Sequence, residues 1–256
     1  MKFVQRALRF QCQGNCLLGI VDVPERPLPR GVLVLSCGQQ YRVGAHRQFT
    51  LLARMLAPRG IPVMRFDCRG MGDSEGKPAP FDAQGDDLRA AIKEFFMQVP
   101  EMREVVLWGL DDAAAAATLF APTEPRVRAL ILLNPWVRDP SLAPPPAKRS
   151  HAGEIGFWRR IGAAAHDRSV MDAQRSAPTV ASPIQQRIME SLGRFDGRVL
   201  VILGGADRHT QHVTELLERH QRPAQRVVID GADHTFASRA WRDQAAEASA
   251  NWVMSW

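Results

Sequence analysis

Along the 256-residue chain, short runs of Val, Ile and Leu alternate with longer stretches whose apolar residues recur every three to four positions. That alternation predicts an α/β architecture, a mostly parallel twisted sheet with crossover helices on its faces. The first two runs, 4–11 and 16–23, behave differently. They alternate polar with apolar and meet across Gln13-Gly14-Asn15, which predicts an antiparallel hairpin at one sheet edge. Apolar runs at 31–36, 61–67, 104–108, 127–133, 198–203 and 225–229 predict buried strands, bringing the sheet to about eight. Helical spacing covers 45–57, where Phe49, Leu52, Ala53 and Leu56 share a face and Pro58 and Gly60 end the pattern. It returns at 82–98, in the alanine-rich 112–120, and at 211–220 and 239–252.

Between 138 and 196 the alternation fails. The entry is proline-rich (Pro140, Pro144, Pro145, Pro146) and the remainder carries irregular helical material. A lid or cap insertion is expected there, interrupting one core formed by 1–137 and 197–256.

Composition narrows the field. No apolar stretch is long enough to span a bilayer, so no membrane insertion is expected. The net charge is +6, yet the basic residues are scattered, with Lys148-Arg149 and Arg159-Arg160 the densest groups. A nucleic-acid binder would gather them on one face, so no nucleic-acid partner is expected. Four cysteines and an N-terminus without a long apolar core fit a cytoplasmic protein. His209 and His212 lie near Asp207, but nothing completes a metal site, and no metal or cofactor is expected. The turn 69–76 is glycine-rich but lacks the lysine of a phosphate loop, so it is read as structural.

Three segments carry candidate chemistry, each just past a predicted strand, where open α/β sheets place their sites. In the first, a strand runs into Gly109-Leu110-Asp111-Asp112-Ala113 and straight into a helix. This is the layout of a nucleophile elbow, with small residues flanking a sharp turn and Asp111 at its centre. An aspartate before five alanines is equally what a helix N-cap looks like. The second is Gly204-Gly205-Ala206-Asp207, where Asp207 suits the acid that orients a catalytic histidine or is a turn residue. The third, Gly231-Ala232-Asp233-His234, offers His234 as base, with Asp233 as a turn former. Elbow, then acid, then histidine is the chain order of an α/β-hydrolase triad. On that reading, backbone N–H groups of Gln39 and Asp112 form the oxyanion hole. Gln40, Tyr41 and Arg42 line the substrate pocket or belong to a packed surface loop.

Three blocks carry a resemblance: Gln40-Tyr41-Arg42-Val43-Gly44-Ala45-His46-Arg47-Gln48-Phe49, Arg65 to Gly76, and Gly231 to Phe236. Through them the chain resembles the α/β-hydrolase superfamily and, within it, the exosortase A system-associated hydrolase 1 family of bacterial exopolysaccharide and protein-sorting clusters. The resemblance implies an α/β-hydrolase fold and a carboxylesterase or thioesterase acting on a small acyl ester or thioester without a cofactor. It places the nucleophile at Asp111, the acid at Asp207 and the base at His234. That family carries cysteine at the elbow, in the pattern G-L-C-D, and this chain departs from it with Asp111. Two further readings therefore stand beside the esterase. One is an aspartate-nucleophile hydrolase acting on saturated carbon, of epoxide hydrolase or dehalogenase type. The other is a binding protein with a substituted nucleophile.

Overall fold

The computed structural model describes residues 1–36, 41–135, 183–219 and 223–256. Gln39, Gln40 and residues 138–182 of the expected insertion lie outside the described residues. Eight strands form one sheet: β1 (Phe3–Cys12), β2 (Asn15–Pro24), β3 (Arg30–Val34), β4 (Val63–Phe66), β5 (Glu104–Leu110), β6 (Val127–Leu133), β7 (Arg198–Gly204) and β8 (Gln225–Ile229), in the spatial order β1-β2-β4-β3-β5-β6-β7-β8. The strands β4-β3-β5-β6-β7-β8 run parallel, while β1 and β2 are antiparallel at the edge. The hairpin turns through Gln13 and Gly14, both at positive φ (49° and 77°), the twist that suits a two-residue connection.

Six helices cover this sheet among the described residues: α1 (Gln48–Leu56), α2 (Gly85–Gln98), α3 (Asp112–Phe120), α4 (Pro183–Arg194), α5 (Thr210–Arg219) and α6 (Arg239–Val253). The strands' two-residue period sends neighbouring side chains to opposite faces. Val105, Leu107, Leu130, Leu132, Val199 and Val201 pack beneath α2 to α5. Val106, Trp108, Ile131, Leu133, Leu200 and Ile202 pack against α1 and α6. Because both faces are covered, the central strands read as unbroken apolar runs rather than alternating ones. Within the segment expected as an insertion, α4 buries Ile188, Met189 and Leu192.

One boundary differs from expectation. The helix foreseen from 45 begins as an α-helix only at Gln48, preceded by a short 3-10 turn in which His46 and Arg47 take positive φ. Apolar spacing detects the buried face of a helix, not the twist of its entry.

Candidate active site

The neighbours β5, β6, β7 and β8 end side by side at the C-terminal edge of the sheet. Asp111 follows β5 directly and opens α3, with φ 57° and ψ −121°. Positive φ at a residue with a side chain costs on the order of 1–3 kcal/mol, so the surrounding structure must impose it. Gly109 explains how. A Cβ there would lie 2.5 Å from the carbonyl of Ala113, so strand and helix cross too closely for any larger residue. The Asp111 side chain does not cap α3. Its backbone carbonyl accepts from Ala114 and Ala115 N–H instead, which leaves the carboxylate to point elsewhere. Asp111 thus occupies the N-cap position without the capping side-chain bond, and its Oδ1 is buried without a hydrogen bond among the described residues.

What it faces is His234. The imidazole Nε2 lies 3.5 Å from Asp111 Oδ1, and Nδ1 lies 2.7 Å from Asp207 Oδ2. Asp207, three residues past β7, is buried and also accepts from the backbone N–H of His209 at 3.0 Å. Burial works to raise its pKa, but the bonds from His234 and His209 prevail and hold it below the usual carboxylate range. The Asp111 carboxylate and then Asp207 push His234 up from 6.5 to about 10, against the opposing pull of desolvation. The imidazole is therefore a cation at neutral pH, bracketed by two carboxylates. Close packing sets this meeting too: a Cβ on Gly204 would come within 2.6 Å of the Ala232 carbonyl, in the loop that carries His234.

Asp233 is the turn former expected, accepting from Thr235 N–H and Ala237 N–H at 3.0 Å each. Asn134, at the end of β6, escaped the sequence reading. Its amide donates to the His234 carbonyl at 2.8 Å, and its Oδ1 accepts from Gly204 N–H at 2.8 Å. It ties the histidine loop to β7. The available signal was a polar residue closing an otherwise apolar strand.

The pocket candidates divide. Asp112 starts α3 beside Asp111, and Tyr41 is exposed. Arg42 is ion-paired to Asp67 and, at 2.6 Å, to Asp73. Its backbone N–H donates to Asp67 Oδ1 at 2.7 Å, and its carbonyl accepts from Arg65 at 2.9 Å. The glycine-rich turn that holds Asp73 thus grips the chain just after Tyr41. Among the described residues, no group of three or more metal-ligating side chains is found, and no helix is long and apolar enough to cross a membrane.

The sequence profile of the Alpha/beta hydrolase family matches residues 33–248. No curated relative matches at a significant level. Several solved structures share the fold. Est1E from Butyrivibrio proteoclasticus, with ferulic acid bound, is 16% identical with a TM-score of 0.67, over 97% of this chain and 98% of that one. The Pyrococcus furiosus esterase Pf2001 is 15% identical with a TM-score of 0.71, over 99% and 93%. XC6422 from Xanthomonas campestris, described as a serine hydrolase without a lid, is 22% identical with a TM-score of 0.64, over 98% and 96%.

Proposed function

The chain belongs to the alpha/beta hydrolase family, and we infer that it is a hydrolase of esterase-type architecture whose covalent centre is Asp111, with His234 and Asp207 completing the site. One observation carries this reading. A carboxylate stands on a positive-φ turn at the head of a helix, 3.5 Å from an imidazole that a second, buried carboxylate holds at 2.7 Å.

The esterase and serine hydrolase descriptions of similar structures support a small-molecule ester or thioester as substrate class. In an acyl-transfer scheme, residue 111 attacks the acyl carbon and His234 takes the proton. Asp207 fixes the imidazole, and N–H groups of Gln39 and Asp112 hold the oxyanion. Gln40 and Tyr41 line the pocket, and the segment 138–196 serves as lid. A carboxylate nucleophile fits that scheme poorly, because attack on a carbonyl gives a mixed anhydride. Attack on saturated carbon gives an ordinary alkyl ester on Asp111, which water opens. The residue actually present favours this second reading, since a carboxylate at the head of α3 can form an ester with an attacked carbon. The exosortase A system-associated resemblance and a bacterial cytoplasmic setting belong to the same proposal, carried by the Gln40–Phe49 block.

Wild type, Asp111→Ser and Asp111→Cys, assayed on nitrophenyl esters and thioesters of short and long acyl chains, test the reading. Ester turnover is expected to rise about 100-fold or more in the variants. The wild type is expected to gain the mass of an epoxide on the Asp111 peptide. Tight ligand binding with no adduct and no gain in any variant would instead favour a binding protein.

A further inference from the structure

The elbow occupies one end of α3, and a cavity lies at the other. α3 opens at Asp112 and closes at Phe120, so Leu119 stands roughly 12 Å along the axis from Asp111. There a cavity of about 270 Å³ is bounded by the end of α3, the start of α2 and one face of α4. Its volume sits just under the range of about 300–1,000 Å³ usual for small-molecule sites, which suits one ring and a head group rather than a nucleotide. Leu88, Leu119 and the rings of Phe81 and Phe120 supply its apolar part. The polar part comes from Arg89 on α2 and from Arg187, Ser191 and Arg194 on α4, whose spacing of four and then three residues puts them on one helix face. Arg89 pairs with Asp86 at 3.2 Å and lies over the Phe120 ring at 5.5 Å, while Arg187 pairs with Asp82 at 3.0 Å. Arg194 closes α4 and pairs with no acid among the described residues. The next acid along, Glu124, is already held by Arg126 through both oxygens, at 2.7 and 2.9 Å. Three guanidinium groups around the cavity are thus matched by two carboxylates. Ser191 is only 4% exposed, yet it lines the cavity, and no described residue bonds its hydroxyl.

We propose that this cavity is a binding site for a small organic oxyanion, a phosphate or carboxylate carried on one aromatic or short aliphatic group. The head group lies between Arg187 and Arg194, whose planar guanidinium groups meet an oxyanion through paired parallel hydrogen bonds. The Ser191 hydroxyl donates a further bond. The body of the ligand packs against Leu88, Leu119 and Phe120, apolar surface that an inorganic anion would leave wet. The surplus of guanidinium turns away a cation of the same shape. The site stands apart from the elbow, and the inference does not rest on the reading of Asp111.

Isothermal titration calorimetry on the full chain tests the proposal, with phenyl phosphate, benzoate, inorganic phosphate and benzyl alcohol as probes. Phenyl phosphate or benzoate is expected to bind at least about 10-fold more tightly than inorganic phosphate and benzyl alcohol, each of which carries one half of the recognised chemistry. Tighter binding of phenyl phosphate assigns the site to phosphate monoesters, and tighter binding of benzoate assigns it to carboxylates. Arg187→Gln and Arg194→Gln should each weaken the preferred probe about 10-fold, and Ser191→Ala about threefold. Both arginines are exposed, so these variants keep the fold. Arg239→Gln, on α6 with its side chain 89% exposed, controls for charge alone and should leave the affinity unchanged. His234→Gln should also leave it unchanged, since the elbow lies at the opposite end of α3. No saturable binding of either organic anion overturns the proposal, and so does inorganic phosphate binding as tightly as phenyl phosphate and benzoate. An equal loss in Arg239→Gln reduces the effect to general charge and overturns it too. Loss in His234→Gln without loss in the α4 variants places the anion at the elbow and refutes the cavity assignment.

Discussion

Two carboxylates, both following parallel strands, meet opposite fates in this molecule. Asp67, just past β4, is wholly buried, and its oxygens accept from Arg42 N–H, the Arg42 guanidinium and Asp73 N–H. Asp111, just past β5, keeps one buried oxygen without a hydrogen bond among the described residues, facing an imidazolium at 3.5 Å. A fully bonded carboxylate is locked in place: its lone pairs are occupied, and breaking them costs stability. A carboxylate held by a single longer charge contact keeps lone pairs available, as the proposed role of Asp111 requires. The contrast separates the two roles without reference to sequence motifs, since both residues sit next to a glycine-rich or small-residue turn.

That contrast can be broken at either end. Replacing Asp111 with Ala should remove covalent turnover, a loss on the order of 1000-fold or more, while the lost contact with His234, more than a third exposed on both sides, lowers stability by only about 1 kcal/mol. Asp67→Ala should do the reverse and lower stability by about 3 kcal/mol, because the mostly buried Arg42 loses its principal partner. Urea unfolding beside an activity assay separates the two, and equal effects on both measurements in both variants would erase the distinction. Asp111→Gly sharpens it further. The positive φ at 111 is free for glycine, so this inactive variant should unfold at higher urea than Asp111→Ala, by about 1 kcal/mol. Asp73→Asn should matter least, within about 1 kcal/mol, since its side chain is 63% exposed and its pair with Arg42 is screened by water.

The same charges set a pH signature. His234 binds its proton more tightly folded, near 10, than its ordinary 6.5. Its contribution to stability is therefore complete below about 6.5 and is lost as pH rises through about 10. Unfolding free energy measured across that window should decline in wild type and decline less in Asp111→Asn, which removes the foremost cause of the shift. An unchanged slope in the variant would place the imidazole's stabilisation on Asp207 alone.

Much of the fold was legible because its determinants are local. The unbroken apolar runs at β5, β6 and β7 and the helical spacing of α1, α2 and α6 follow from which faces each element buries, and a window of ten residues contains that information. The elbow was legible for a similar reason: Gly109 and Ala113 flank the turn at the spacing that a close strand–helix crossing requires. Whether Asp111 capped its helix was not legible, because both outcomes use the same residues in the same order. Arg42 read either as a pocket residue or as part of a packed loop, and only the fold brings Asp67 and Asp73, from the turn after β4, against its guanidinium.

From sequence alone came an eight-stranded, mostly parallel sheet, its antiparallel edge, and three candidate residues in hydrolase order. The tertiary structure alone decided which side chains meet: His234 on Asp207 across 27 positions, and Asn134 on His234 across 100. The division has a physical cause. Periodicity and turn chemistry act between residues a few positions apart, whereas ionisation and hydrogen bonding depend on through-space distances of a few ångströms, which the chain fixes only once its strands have been laid side by side.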